Sequence, residues 1–247
     1  MTTLFISDLH LSTDRPEKIE LFRQLLAGPA LQADTLYILG DLFDAFWIGV
    51  DDSRPPNPEI ISLLNTYTKH SDTKLVMMRG NRDFHLDDRF ANATGCEFID
   101  DPTVIALDGE QVLIMHGDTL CTDDKDYQRW RKFISHPIIK WMNLRLPMSI
   151  RKKIASDVRS YTVEQTKNKA PDIIDVNHAT VKQTMEKHQV KTLIHGHTHR
   201  QDMHEVELST GTGRRIVLGD WYEKDCVLIK DTNGYRFERI ADYINNH

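Results

Sequence analysis

The most regular feature of the chain is a short apolar run that stops abruptly in polar groups. It recurs as TLFISDLH, TLYILGD, KLVMMRGN, QVLIMHGD and TLIHGH. Runs this short and continuous fit strands buried on both faces, because alternate side chains then meet an apolar layer on either side. Between the first three lie stretches with helical spacing, IELFRQLLAG ending at Gly28 and PEIISLLNTYTKH starting at Pro58. This strand–helix alternation predicts an α/β layered fold. Further on, RRIVLGDWY, DCVLIKD and YRFERI read as strands joined by polar turns, one of them at Asn233-Gly234. A mixed or two-sheet core is therefore expected, and no internal repeat or low-complexity tract interrupts the pattern.

From about Asp124 to Asn177 the apolar residues recur at helical spacing instead. Trp130, Phe133 and Ile134 fall on one face, as do Ile150, Ile154 and Val158, while Pro137, Pro147 and Pro171 cut the segment into short helices. Residues 124–177 are read as a helical cap insertion over the strand ends, within a single domain spanning 1–247. Packing against the core accounts for most of the Trp and Ile stripes in this reading.

Composition narrows the class. With 247 residues, 40% hydrophobic and 28% charged, the chain can bury one good core and reads as a soluble globular protein. MTTLFISDLHL contains neither a basic n-region nor a long apolar stretch, and no run approaches the roughly 18 apolar residues of a spanning helix. A cytoplasmic protein is expected, any membrane contact being peripheral. Cys96, Cys121 and Cys226 are odd in number and widely spaced, which suits small core residues in a reducing compartment. The formal charge of −6 argues against a nucleic-acid partner. Its distribution is uneven: between Arg129 and Lys169 eleven Lys or Arg face only Asp157 and Glu164, a net +9, leaving −15 on the remainder.

Candidate chemistry gathers where the apolar runs stop. In a strand, residues two apart point the same way, so Asp8 and His10 of SDLH can aim at one ion, and His197 and His199 of GHTH repeat the spacing. Either pair alone is a weak signal. Asp41 in LGDLFD, Asn81 in RGNRD and His116 in MHGD also follow apolar runs, usually beside a glycine that allows close backbone approach. All seven donors are expected at the carboxyl edge of a sheet, where α/β proteins place their sites. Seven are too many for one ion and suit two, provided a carboxylate such as Asp41 bridges. Carboxylate, amide oxygen and imidazole without thiolate favour Mn²⁺, Fe or Zn²⁺. Two ions about 3.5–4 Å apart clamp a phosphoryl oxygen and acidify a water between them, so the expected reaction is hydrolysis of a phosphoester or phosphoanhydride.

The order D-x-H, GD, GN, H-G-D, G-H-x-H, from Thr2 to about Trp221, resembles the calcineurin-like metallophosphoesterase superfamily. The resemblance implies a β-sandwich flanked by helices, with Asp8, His10, Asp41 and His199 around one metal and Asp41, Asn81, His116 and His197 around the other. Most members follow the GN block with a histidine that protonates the leaving group; here the residue is Arg82. Arginine stays charged and cannot act as a general acid near neutral pH. That predicts a leaving group needing no proton, such as a phosphate monoester released from a pyrophosphate, with the guanidinium holding diphosphate oxygens. The bland alternative is that Arg82 only pairs with Asp83.

GNRDF, LGDLFDAFWIG, IMHGDTLCTDD, MEKHQVKTLIHGHTHR and VLGDW resemble a narrower family, the UDP-2,3-diacylglucosamine pyrophosphohydrolases of Gram-negative lipid A synthesis. This resemblance implies Mn²⁺-supported cleavage to UMP and 2,3-diacylglucosamine 1-phosphate, with Asp41, Asn81 and Arg82 catalytic. It places substrate contacts at Asn81, Arg82, Asp124, Lys169 and His197. Thr162 keeps a hydroxyl where close relatives often have Ser, and Thr166 loses the amide of an Asn. A glycolipid substrate gives the basic segment a role at an anionic surface on the cytoplasmic face of the inner membrane. Trp130, Phe133, Trp141, Met142 and Met148 are then expected to line an acyl groove or membrane face. The competing readings are a dinuclear pyrophosphohydrolase of a soluble nucleotide, which leaves the basic and apolar cap unexplained, and a non-catalytic scaffold of the same fold, in which ligands can be lost.

Overall fold

Each of the five apolar runs folds as a strand, and each strand separates two apolar layers as its composition requires. In the computed structural model, which describes residues 1–44, 54–154, 156–157 and 175–246, β1 is Thr3–Ile6, β2 Thr35–Leu39, β3 Lys74–Met78 and β4 Glu97–Ile99. These run parallel. β10 (Cys226–Asp231) joins β1 antiparallel, and β11 (Gly234–Arg239) pairs with it across the Asn233-Gly234 turn. The resulting six-stranded sheet has the order β11-β10-β1-β2-β3-β4.

A second sheet of five strands, ordered β5-β6-β7-β9-β8, consists of β5 (Thr103–Leu107), β6 (Glu110–Met115), β7 (Thr192–His195), β8 (Asp202–Leu208) and β9 (Gly211–Val217). Phe5, Leu39, Met78, Ile114, Ile194 and Leu228 fill the space between the sheets. Along β1, Leu4 and Ile6 point the other way, into a layer shared with the helices α1 (Pro16–Ala27) and α2 (Asn57–His70). In β6, Val112 and Ile114 face the inter-sheet layer while Leu113 and Met115 face a third cluster with Val181 and Met185. The period-2 geometry of a strand thus explains why these segments are apolar without a break.

α1 has Pro in its first turn and Gly28 at its C-cap, and it buries Ile19, Phe22, Leu25 and Leu26 along one stripe. Phe22 is fully buried, so its truncation to Ala is expected to cost about 3–5 kcal/mol. α3 (Asp88–Thr94) and α7 (Ile240–Asn246) also lie on this side, and α6 (His178–Lys187), capped by Asn177, covers the second sheet. The cysteines are free and buried.

Within the cap region, α4 (Lys125–Ile134) and α5 (Pro137–Arg145) form as the spacing predicts, and residues 148–154 are helical. Their apolar residues do not pack as core. Phe133 is 62%, Ile138 60%, Trp141 55% and Met142 53% exposed, and Ile150 and Ile154 are exposed as well. Phe133 therefore parts company with Trp130 and Ile134, which turn inward toward a cavity beside Asn81. Val158, Pro171, Thr162, Thr166 and Lys169 lie outside the described residues.

Candidate metal centre

β1, β2 and β3 run parallel in one sheet and β6 and β7 in the other, and their carboxyl ends meet at one edge of the sandwich. All seven predicted donors converge there. The local geometry differs from the extended-strand expectation for D-x-H and H-x-H. β1 ends at Ile6 and β7 at His195, so both pairs lie beyond the strands. Asp8, His10, Asp41, His197 and His199 have φ of 55°, 47°, 55°, 68° and 59°. A left-handed turn, not a pleat, aims each of them. That conformation costs an L-residue roughly 1–2 kcal/mol, and it persists where surrounding bonds over-determine it. Here Asp8 N donates to Gly40 O (3.1 Å), His10 N to Asp41 O (3.0 Å) and Leu11 N to Leu42 O (2.9 Å), lacing together the loops after β1 and β2. His197 N donates to Asp8 Oδ2 at 2.9 Å.

Glycine is required where these loops touch. A Cβ on Gly80 would lie 2.2 Å from Asp41 Oδ1, and one on Gly196 would lie 2.3 Å from Asp8 Oδ2.

The donors form two adjoining groups. His199 Nε2 lies 3.3 Å from Asp8 Oδ1 and 3.4 Å from His10 Nε2, and His10 Nε2 lies 3.9 Å from Asp8 Oδ1. On the other side His116 Nε2 and His197 Nδ1 approach Asn81 Oδ1 at 2.9 and 2.8 Å. Asp41 stands between, its Oδ2 3.9 Å from His10 Nε2 and its Oδ1 3.8 Å from His116 Nε2. Asp41 thus adjoins both groups.

Burial alone would raise the Asp8 carboxyl, but His199, His116 and His10 hold it well below the usual carboxylate range. Burial prevails at Asp41 and pushes its carboxyl up. Burial lowers His10 to about 3 and His197 to about 4. At His116 and His199 burial is outweighed by carboxylates, Asp41 and Asp8 for the first, Asp8 and Asp220 for the second, lifting them to about 9 and about 10. The cleft therefore draws in positive charge. A divalent ion fits there: Asp8 Oδ1 is buried with no hydrogen-bond partner among the described residues, and it faces two imidazole nitrogens that compete for the same space.

Arg82 does not pair with Asp83. Asp83 is fully buried and accepts from Gly80 N (2.6 Å) and Leu42 N (2.8 Å), tying the GN turn to the loop after β2. Arg82 N donates to Asp41 Oδ1 at 2.7 Å, and its Nη1 reaches Asp44 O at 3.2 Å. Asp124 is buried and caps α4, accepting from Tyr127 N at 3.1 Å. Beside Asn81 opens a cavity of about 140 Å³, bounded among others by Phe84, Asp118, Tyr127, Trp130 and Arg131.

Sequence reasoning missed the residues that brace this centre. Asp118 Oδ2 accepts from Tyr127 OH (2.7 Å) and from Arg131 Nε, while Arg131 Nη2 reaches Asp101 Oδ2 at 3.3 Å. Asp101 Oδ1 accepts His116 N at 3.2 Å, and Asp220 Oδ2 lies 3.0 Å from His199 Nδ1. The aspartates of H-G-D and LGDW carried the only signal, and an isolated Asp in a turn has a ready local explanation.

A model of the calcineurin-like phosphoesterase family matches residues 1–201. A protein of Pseudomonas putida (strain W619) named UDP-2,3-diacylglucosamine hydrolase is 45% identical over 235 residues, 95% of this chain and 97% of that protein. Proteins of the same name from Aliivibrio fischeri (strain MJ11) and Pectobacterium carotovorum subsp. carotovorum (strain PC1) are 46% and 45% identical, each over 92% of this chain and 94% of the relative.

Proposed function

Since this chain belongs to the calcineurin-like phosphoesterase family, we propose that it hydrolyses the pyrophosphate bond of UDP-2,3-diacylglucosamine, releasing UMP and 2,3-diacylglucosamine 1-phosphate for lipid A synthesis. The near-full-length identity to hydrolases of that one substrate, which takes in the helices beside the metal centre, carries this reading. Asp8, His10, Asp41 and His199 would hold one divalent ion, and Asp41, Asn81, His116 and His197 a second. Mn²⁺ matches a donor set of carboxylate, amide oxygen and imidazole. Bound there, such ions supply Lewis-acid polarisation of a phosphoryl oxygen and acidify a water.

The chain's own groups then have distinct tasks. Asp41 is oriented between the two groups by the backbone N–H of Arg82. The Arg82 guanidinium, steadied by Asp44 O, offers further N–H donors to the oxygens of the diphosphate and of the departing phosphate. No proton donor is needed, because the leaving phosphate is stable as an anion. Asp124, Thr162, Thr166 and Lys169 are proposed substrate contacts alongside Asn81, Arg82 and His197, with Asp124 also closing the first turn of α4. Trp130 would line an acyl-chain path through the cavity beside Asn81.

Exposed Phe133, Trp141 and Met142, with the half-buried Met148 nearby, suit peripheral contact with an anionic bilayer on the cytoplasmic side. Among the described residues no helix is long and apolar enough to cross a membrane. Each basic side chain near such a surface contributes about 1 kcal/mol.

The test is to incubate the protein and Mn²⁺ with UDP-2,3-diacylglucosamine or with soluble dinucleoside polyphosphates, following UMP or AMP by mass spectrometry. UMP released from the lipid alone is the expected result. Turnover of the soluble compounds in preference would reassign the substrate, and inactivity toward both in a metal-loaded protein would leave a scaffold.

A further inference from the structure

Three consecutive residues after β9 each engage one member of the Asp8–His10–His199 group. Asp220 Oδ2 faces His199 Nδ1 at 3.0 Å. Trp221 N donates to Asp8 O at 3.2 Å. The Tyr222 ring packs on that of His10, centroids 5.2 Å apart, and its hydroxyl donates to Asp44 Oδ1 at 3.0 Å. Of the three supported residues His199 has the greatest need: its side chain is 34% exposed, against 4% for His10 and 0% for Asp8. It also sits in a left-handed turn beyond its strand. Asp220 is itself immobilised, because its Oδ1 accepts from Tyr222 N (3.0 Å) and Glu223 N (2.9 Å), which leaves Oδ2 aimed at the imidazole.

We propose that Asp220 is a positioning residue of the metal centre, holding the Nδ1 proton of His199 so that the proton an incoming cation displaces is the one on Nε2, the nitrogen that faces Asp8 and His10. This rests on the reading that the group holds a cation. A neutral imidazole carries one N–H, and a carboxylate can only accept it, so the partner of Nδ1 decides what Nε2 offers. Carboxylates that orient a metal-binding histidine in this way are typically worth 10–100-fold in metal affinity.

Two substitutions separate this role from simple support of the turn. In Asp220→Asn the side-chain oxygen still accepts from Tyr222 N and Glu223 N, so the turn survives. The amide NH₂ now faces His199 Nδ1, which must become an acceptor, and the proton moves to Nε2 and closes it to a cation. Asp220→Ala removes the turn bonds and the tether together. The readout is titration of Mn²⁺ into the metal-free full-length chain, with the six-line electron paramagnetic resonance signal of the free ion giving stoichiometry and affinity.

The wild type is expected to take up two ions. Each variant should bind one as the wild type does and the other about 10–100-fold more weakly, with Asn at least as damaging as Ala and the metal-free Asn variant keeping the circular dichroism spectrum of the wild type. If Asn titrates like the wild type and only Ala is weakened, Asp220 serves the turn and the proposal falls; it falls equally if both titrate like the wild type. A wild-type chain that binds no Mn²⁺ overturns the metal centre itself, a distinct failure visible before any variant is made.

Discussion

Replacing Arg131 by Met should loosen α4 from the metal centre by a calculable amount. Met keeps the apolar stem but removes the guanidinium that joins Asp118 to Asp101. The Asp118 side chain is 1% exposed and that of Asp101 10%, so two buried carboxylates lose their counter-charge. Breaking a buried pair by removing one partner costs about 3–5 kcal/mol. Arg131 is 29% exposed and Tyr127 OH still donates to Asp118, which places the loss near the lower end, at about 3 kcal/mol.

The loss should depend on pH. Burial, with Asp118 next, already raises the Asp101 carboxyl to about 6, and Arg131 restrains that rise. A carboxyl whose folded pKa lies above its unfolded value of about 3.9 lends stability when protonated and withdraws it as pH climbs through the folded pKa. The deficit of Arg131→Met is therefore largest at pH 8 and shrinks toward pH 5. Urea unfolding of wild type, Arg131→Met, Asp118→Asn and the double variant at both pH values measures it, provided m is unchanged. A deficit below 1 kcal/mol would mean that solvent screens the pair and that something else holds α4; one equal at both pH values would mean that Arg131 acts through Asp118, whose carboxyl stays below the usual range despite its burial because of His116 and Arg131, and not through Asp101.

Arg82→Ala should lower UMP release about 10²–10³-fold while bound metal, measured by plasma mass spectrometry, is unchanged, because the backbone N–H to Asp41 survives. Wild-type turnover would remove its role at the diphosphate. Gly80→Ala should displace Asp41, whose Oδ1 lies 2.2 Å from the new Cβ, and reduce Mn²⁺ stoichiometry while circular dichroism stays that of the wild type. Trp141→Ser with Met142→Ser, both more than half exposed, should change unfolding free energy by at most about 0.5 kcal/mol per site yet reduce co-sedimentation with anionic liposomes. Equal sedimentation of variant and wild type would exclude that face.

The strands that carry the donors were legible because burial on both faces forces a continuous apolar run, as Leu4, Phe5 and Ile6 illustrate. The edge strand β8 was not: Asp202, Glu205 and Glu207 point to solvent, and only Leu208 is buried. β4, three residues long at the other sheet's edge, has too few positions to show a period. Donor identity was readable from D-x-H, GD, GN, H-G-D and G-H-x-H, but the backbone that aims those donors was not. A positive φ at Asp8 or His10 is imposed by bonds to a loop distant in sequence and leaves no mark in residue type. Nor could spacing distinguish an Arg82–Asp83 ion pair from an Asp83 buried among backbone amides, because the deciding partner, Leu42, lies on another strand's loop.

Asn81 belongs to the loop after β3, whereas His116 and His197 approach it from the second sheet. Its side-chain oxygen is thus a clasp across the sandwich, and Asp8 with His199 forms another beside it. Ions bound at the clasps would tie the edges of both sheets at once, so their binding free energy, about 2.7 kcal/mol at a hundredfold excess over Kd, would be shared by the two halves. The hydrolytic centre would then also be a fastening that makes the sheets separate together or not at all.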